Sequence, residues 1–476
     1  MGRALSWGIG RRRELRGLSW GVRLCYNLCM PARTRAARSV AAALAVALCT
    51  LGAAGTAQAR PEPSTPQLPD VFDGYVVSTF QDGRFATPQE ILDGLHPDTA
   101  FYDEPELTGG EAPGTLLKSM PVEVQFSGFR PGNLRAWRLM YVTTGLDART
   151  PEISTGILLV PDDGRDDATR PLIGYQEAND SVGPTCHPST QWTGANPMDG
   201  ASWSALGPLA QMFGDGLAVM ISDVGNDADP APKGVFAGRF AGHANLDGMR
   251  AALTLDDAGL SRQTPVSIFG IAGGGVGAAF AAEAQPEYAP ELDVRSTVLE
   301  GMVVDQRNFM RVSDGSVGSG FAFATLLGLE PKYPEMRVDE KLTPLGRQVA
   351  DWYRTQCQTP AYFTAPFVPL SSFFTSGLAP ADIPEFQHVY DDNLLGTRAP
   401  GADVLIASCG ADDSPMSLVP AQDARDLADR YRAGGTDVTY APTDCSMTRF
   451  VTDMYGWGTD LFGMQTVDWM VATLRE

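Results

Sequence analysis

Short apolar runs recur along most of the chain, at residues 137–143, 155–160, 172–175, 217–221, 266–269, 297–299, 404–407 and 438–440, each bounded by Gly, Pro or Asp. Runs of this length between turn formers predict buried strands. Between several of them the apolar spacing shifts to a helical period. Helices are predicted at 245–258, stopped by Gly259, at 276–283, and at 419–433, where Gly434 and Gly435 supply a C-cap. Strands alternating with helices predict an α/β fold, a mostly parallel central sheet with helices on both faces. Between Gly301 and Pro400 the strand rhythm stops, while 321–329 and 345–353 keep helical spacing. That stretch, 302–400, is expected to be a helical cap inserted between core segments 101–301 and 401–476. The stretch 60–100 opens with Pro61, Pro63, Pro66 and Pro69 and is expected to be an extended N-terminal segment.

The N-terminus changes the picture. Residues 40–54 form an Ala/Leu-rich run preceded by Arg33, Arg35 and Arg38 and followed by Ala57-Gln58-Ala59. This is the layout of a secretory signal cleaved after Ala59, and its apolar run is too short for a stable membrane span. Met30 is an alternative start, with 1–29 as an extension. Residues 1–59 hold nine of the 36 basic residues and one of the 57 acids, Glu14, so the mature chain keeps 27 bases and 56 acids, a net charge of −29. Such a charge repels phosphate backbones and excludes nucleic acid as a partner. At 43% hydrophobic and 20% charged residues, disordered, fibrous and polytopic membrane classes drop out. The mature chain is expected to carry no integral membrane segment and to be released or loosely held at the cell envelope. Four of the seven cysteines remain in it, Cys186, Cys357, Cys409 and Cys445, which outside the cytosol suggests two disulfides in any of three connectivities. Neither paired-His nor CxxC spacing is present, so no metal or cofactor is expected.

Chemistry concentrates in Pro265-Val266-Ser267-Ile268-Phe269-Gly270-Ile271-Ala272-Gly273-Gly274-Gly275-Val276-Gly277. A buried strand runs into a Gly-rich turn and then a small-residue helix. In a nucleophile elbow, G-x-S-x-G, the glycines let strand and helix approach around one strained residue that stands above the sheet. Gly270 and Gly274 occupy the outer positions, but the middle residue is Ala272. Two other readings exist for such a turn: a dinucleotide phosphate loop, which belongs early in a βαβ unit with an acid about 20 residues on, and a tight packing turn with no chemistry.

Further segments fall in a recognisable order: Phe101-Tyr102, Ala112 to Leu117, Ala136-Trp137-Arg138, Tyr175-Gln176 with Asp180, Gly242-His243-Ala244, Tyr333-Pro334-Glu335, and Ala428-Asp429-Arg430 through Thr439. With these, the chain from about Phe101 onward resembles the secretory lipase family, the Candida lipase A-like α/β-hydrolases common in actinobacteria. The resemblance implies a triad of elbow Ser, an Asp after a late strand and a His after the next strand. Carried over, the nucleophile position is Ala272. The acid is Asp412 or Asp413 in Cys409-Gly410-Ala411-Asp412-Asp413, and the His position, in Tyr440-Ala441-Pro442-Thr443-Asp444-Cys445, is Cys445. The oxyanion hole would combine the amide of Gly273 with that of Asp180, whose alternative role is a turn or helix cap.

The family resemblance also pairs Cys186 with Cys357, which leaves Cys409 and Cys445 to bond at the carboxyl edge of the sheet or to stay as buried thiols. Of the four histidines, His96, His187, His243 and His388, none follows the last strand. His243 is expected to pack or cap just before the 245–258 helix, and His187 to sit in a loop. The expected protein is therefore a secreted lipase-like pseudoenzyme that binds lipid or an acyl ester. The alternatives are an active lipase or esterase with unconventional residues, and a structural envelope protein.

Overall fold

Each of the eight apolar runs forms a strand, and a ninth strand joins them at one edge. The structure, a computed structural model, describes residues 60–71, 83–178, 181–197, 199–229, 234–362, 364–414 and 417–476. The expected signal segment therefore lies outside the described residues. The strands of the main sheet are β1 (Leu116–Val122), β2 (Leu134–Thr144), β3 (Pro151–Pro161), β4 (Leu172–Gln176), β5 (Ala218–Ser222), β6 (Val266–Ile271), β7 (Val294–Glu300), β8 (Asp403–Cys409) and β9 (Val438–Thr443). They lie in the order β9-β8-β7-β6-β4-β5-β3-β2-β1. From β9 to β5 neighbours run parallel, whereas β5-β3, β3-β2 and β2-β1 are antiparallel. Absent from the predicted strands, β1 is a half-exposed edge carrying Lys118 and Pro121, residues that blunt an edge and hide its apolar signal.

Side chains alternate between two cores, as the period of two along a strand requires. In β6, Val266 and Ile268 enter one core with Phe240 and Met249 of α2 (Gly238–Ala252) and Val276 and Phe280 of α3 (Ala272–Tyr288). Phe269 and Ile271 enter the other with Leu209 and Met212 of α1 (Gly200–Gly214) and with Trp469 and Met470 near the C-terminus. Each such fully buried side chain contributes about 1.5–3 kcal/mol.

The helix predicted at 245–258 begins instead at Gly238 and ends at Ala252, followed by a separate 3-10 turn, Asp256–Ala258, that stops at Gly259 with φ +73°. Its early start rests on a tertiary cap: the Gly238 amide donates to Oδ1 of Asn393, 2.8 Å away in the inserted region. No local signal announces such a partner. The 60–100 stretch is not wholly extended either. Thr87 and Glu90 form a capping box that starts the helix Pro88–Leu95. Ahead of it, Arg60 pairs with Asp403 and Glu476, and the Pro66 carbonyl accepts from Tyr455 at 2.9 Å.

Among the described residues between β7 and β8 there are helices and no strand of the sheet, including α4 (Gln306–Ser313), α5 (Ser319–Leu329) and α6 (Pro344–Tyr353). Phe323, Leu327, Tyr353 and Phe386 of this insertion are buried in the core that also holds α2 and α3. A Cys186–Cys357 disulfide ties it to the loop after β4. After β8 come α7 (Ala421–Ala433), then α8 (Met447–Thr452), α9 (Met454–Leu461) and α10 (Val467–Leu474).

Candidate functional site

Because β4, β6, β7 and β8 are parallel, their carboxyl ends Gln176, Ile271, Glu300 and Cys409 come to one edge of the sheet, where α/β folds bind ligands. β6 passes into α3 with no intervening loop, so the chain must reverse within one residue. That residue is Ala272, and its φ is +50°. An L-residue in the left-handed region costs about 1–2 kcal/mol, and such strain persists only where the surroundings impose it. The surroundings are glycines. A Cβ on Gly274 would run into the carbonyl oxygens of Gln176 and Glu177, and one on Gly270 into the Cβ of Ala278. Strand and helix thus clasp a strained residue as an elbow does, and the side chain it presents is a methyl group.

Above the elbow lies a cavity of about 440 Å³, with Ala272 and Gly273 on its floor. Phe236, Val303, Phe309, Phe321 and Leu461 make most of its wall apolar, and the insertion supplies several of them. Gly273 sits in the first turn of α3, whose leading amides have no intrahelical acceptor, so a helix N-terminus faces the cavity. Asp180, the other expected amide donor, lies outside the described residues. Its loop is pinned nearby. Asp227 Oδ1 accepts from the amides of Cys186 and His187 and from His187 Nδ1 at 2.7 Å, while His187 Nε2 meets the Ser181 carbonyl at 2.9 Å.

Beyond β8 the picture differs. Cys409, at the end of that strand, is bonded to Cys445 just after β9. Asp412 is exposed and caps α7, accepting from the Ala421 amide at 2.7 Å, and Asp413 is exposed too. Neither aspartate lines the cavity, and the structure brings neither to Ala272.

The histidines are all accounted for elsewhere. His96 is exposed, His388 meets Glu335 on the surface at 2.9 Å, and His187 is held by Asp227. Instead of preceding α2, His243 lies within it, a consequence of the earlier helix start. Its Nδ1 bonds the Gly145 carbonyl at 3.0 Å and its ring stacks on Tyr288 at 4.3 Å, with burial lowering its pKa.

Among the buried carboxyls without a mark in the sequence, two flank the elbow, Glu300 and Glu177. Glu300 closes β7, opposite Ile271 in the register, and lines the cavity, where burial pushes its pKa up to about 8. Glu177, beyond β4, is raised to about 8 by the same cause and accepts from Trp192 Nε1 at 3.2 Å. The only signal in the sequence was position: each stands at or just past the end of a parallel strand. Among the described residues no cluster of His, Cys, Asp and Glu could hold a metal ion.

The sheet order, the crossing helices and the elbow define an α/β-hydrolase. Candida antarctica lipase A in its closed state superimposes with a TM-score of 0.63 at 22% identity, over 80% of this chain and 88% of that one. A ligand-bound cell-wall-degrading esterase from Xanthomonas oryzae gives 0.59 at 16% identity, over 76% and 98%. A sequence model of the secretory lipase family matches residues 208–465. The chain is 32% identical over 358 residues to a probable inactive lipase of Mycobacterium tuberculosis, covering 73% of this chain and 76% of that protein. It is 26% identical over 365 residues to a secreted triacylglycerol lipase of Malassezia furfur, covering 75% and 72%. The chain belongs to the secretory lipase family. No helix among the described residues is long and apolar enough to cross a membrane.

Proposed function

We propose that this protein is a non-catalytic member of its family that is exported by its N-terminal signal and binds a lipid or acyl ester in the elbow cavity. The observation that carries this reading is the strained elbow itself, which presents a methyl group to an apolar cavity of about 440 Å³. A methyl carbon has no lone pair to attack a carbonyl. A disulfide at the position expected for the base has neither an imidazole nor a thiol to take up a proton, and no histidine lines the cavity. Loss of the nucleophile or base alone typically costs about 10⁶-fold in triad hydrolases, and further losses add little. Ligand binding needs only what is still present: an apolar wall and backbone donors at a helix N-terminus. One relative bears the name of a probable inactive lipase, which supports this reading, while the Malassezia furfur relative is named a secreted triacylglycerol lipase.

The test is mass spectrometry of lipid carried through purification of the native protein, beside an assay on short- and long-chain acyl esters. Copurified lipid without turnover is the expected result. Turnover abolished by substituting a residue that lines the cavity would make it a working esterase, and neither lipid nor turnover would make it a structural module.

A further inference from the structure

Glu300 is the only carboxyl lining the cavity, and no Lys, Arg or His lines it among the described residues. Its Oε1 accepts from Thr466 Oγ1 at 2.5 Å, which leaves Oε2 for the cavity. Three elements close around it. β6 brings Ile271, β8 brings Ala407, and the turn before α10 brings Thr466 and Gly463, none of them charged. The titratable groups near it are Asp460 of α9, itself paired with Arg449 at 2.7 Å, whose negative charge disfavours an anion on Glu300, and the phenol of Tyr175 in β4, which stays neutral because burial and the nearby carboxyls Glu177 and Glu300 raise its pKa. A carboxyl buried among apolar groups without a cation stays protonated, and a protonated carboxyl is a hydrogen-bond donor.

We propose that Glu300 is the polar anchor of the cavity, a carboxylic acid whose Oε2–H donates to the carbonyl of an uncharged acyl ester, so that the site selects esters over fatty-acid anions. The selection has two parts. An ester carbonyl accepts from Glu300 and places its chain against Phe309 and Phe321. A carboxylate brings a negative charge into a cavity without a cation, at a desolvation cost that one hydrogen bond does not offset. Ionising Glu300 removes the donor and sets a second negative charge beside the ligand, so ester binding weakens in alkali. The same protonation makes Glu300 unfit as a general base near neutral pH, in keeping with the non-catalytic reading proposed above.

This inference rests on the cavity being a lipid site, and the experiment separates the two. Displacement of bound Nile red, an uncharged dye, by methyl laurate and by laurate is followed with the mature chain at pH 6.5 and pH 9.5. Methyl laurate is expected to bind three- to tenfold more tightly at the lower pH, roughly the worth of one hydrogen bond, and more tightly than laurate at both. In Glu300→Gln, which keeps a donor at every pH, the pH dependence of methyl laurate binding disappears while its affinity stays near the pH 6.5 value. Equal ester affinity at both pH values, or laurate binding as tightly as its ester, overturns the role of Glu300 but leaves the lipid site standing. Failure of both ligands to displace the dye at either pH overturns the lipid site itself. The pH comparison needs only the native chain, so the inference remains testable even if the variant does not fold.

Discussion

Two ends of one sheet edge are built differently. At β6 the backbone keeps the geometry of an elbow, with Ala272 in the left-handed region and Gly270 and Gly274 making room for the close approach. At β8 and β9, two strands away, the chain ends are stitched by Cys409–Cys445, and Asp412 has become a helix cap. The elbow survives because it is also the joint on which the core is built: α3 packs through it on β6 and β4, so relaxing its backbone would disturb both. Backbone geometry is therefore held where it doubles as packing between strand and helix, and the turns after β8 and β9 are held by a covalent bridge instead.

The largest effect is expected where the rewriting is covalent. Replacing Cys409 and Cys445 together by Ser frees a loop closed at a sequence separation of 36 and should cost about 4 kcal/mol of stability, read by urea denaturation. If the variant matches the native chain, the bridge contributes nothing to folding and the contrast between the two ends loses its physical basis.

Next comes pH. Glu177 and Glu300 are raised by burial to about 8, and Asp223 and Asp247 to about 6. Each holds a proton in the folded chain where its unfolded counterpart is ionised, so the folded state binds more protons above the ordinary carboxylate range. Stability should then be greatest in mild acid and fall as pH rises toward 8. Buried His243, lowered, works the opposite way below its ordinary value of 6.5 but is one group against these four and against Asp215, Glu283, Glu330 and Asp423, all raised by burial as well. Carboxyls held low by hydrogen bonds, such as Glu111 and Asp147 at about 2, change nothing above pH 5. Thermal scans from pH 5.5 to 8.5 should show a falling Tm, and Glu300→Gln should flatten that slope by about 1 kcal/mol per pH unit. A native slope that rises over this range would contradict the burial of these groups.

The smallest effect sharpens the elbow. Ala272→Gly removes the steric cost of a positive φ while loosening the unfolded chain, for a net gain of up to about 1 kcal/mol. Ala272→Val, branched at Cβ and less tolerant of that region, should destabilise by a similar amount or more. If glycine destabilises and valine does not, the residue is not strained.

Much of this was legible from residue patterns alone. Eight strands and their alternation with helices around a mostly parallel sheet follow from period and punctuation. What was hidden depended on tertiary partners. The start of α2 is set by Asn393 more than 150 residues away, and β1 masks its signal with edge residues. Glu300 reads as an ordinary surface acid until the chain buries it beside Thr466, because a single carboxylate carries no local mark of the cavity it will enter. Asp412 and Asp413 show the converse: their turn is where the resemblance places it, but the structure sends both to the surface.

The central claim is that the elbow presents no nucleophile, and hydrolysis of p-nitrophenyl laurate by the mature chain measures it most directly. The account predicts release at the buffer rate, both for the native chain and for Ala272→Ser alone, because Cys445 supplies no base. Release well above the buffer rate by the native chain, lost when Glu300 or Ser408, a hydroxyl residue of β8 that also lines the cavity, is substituted, would contradict it.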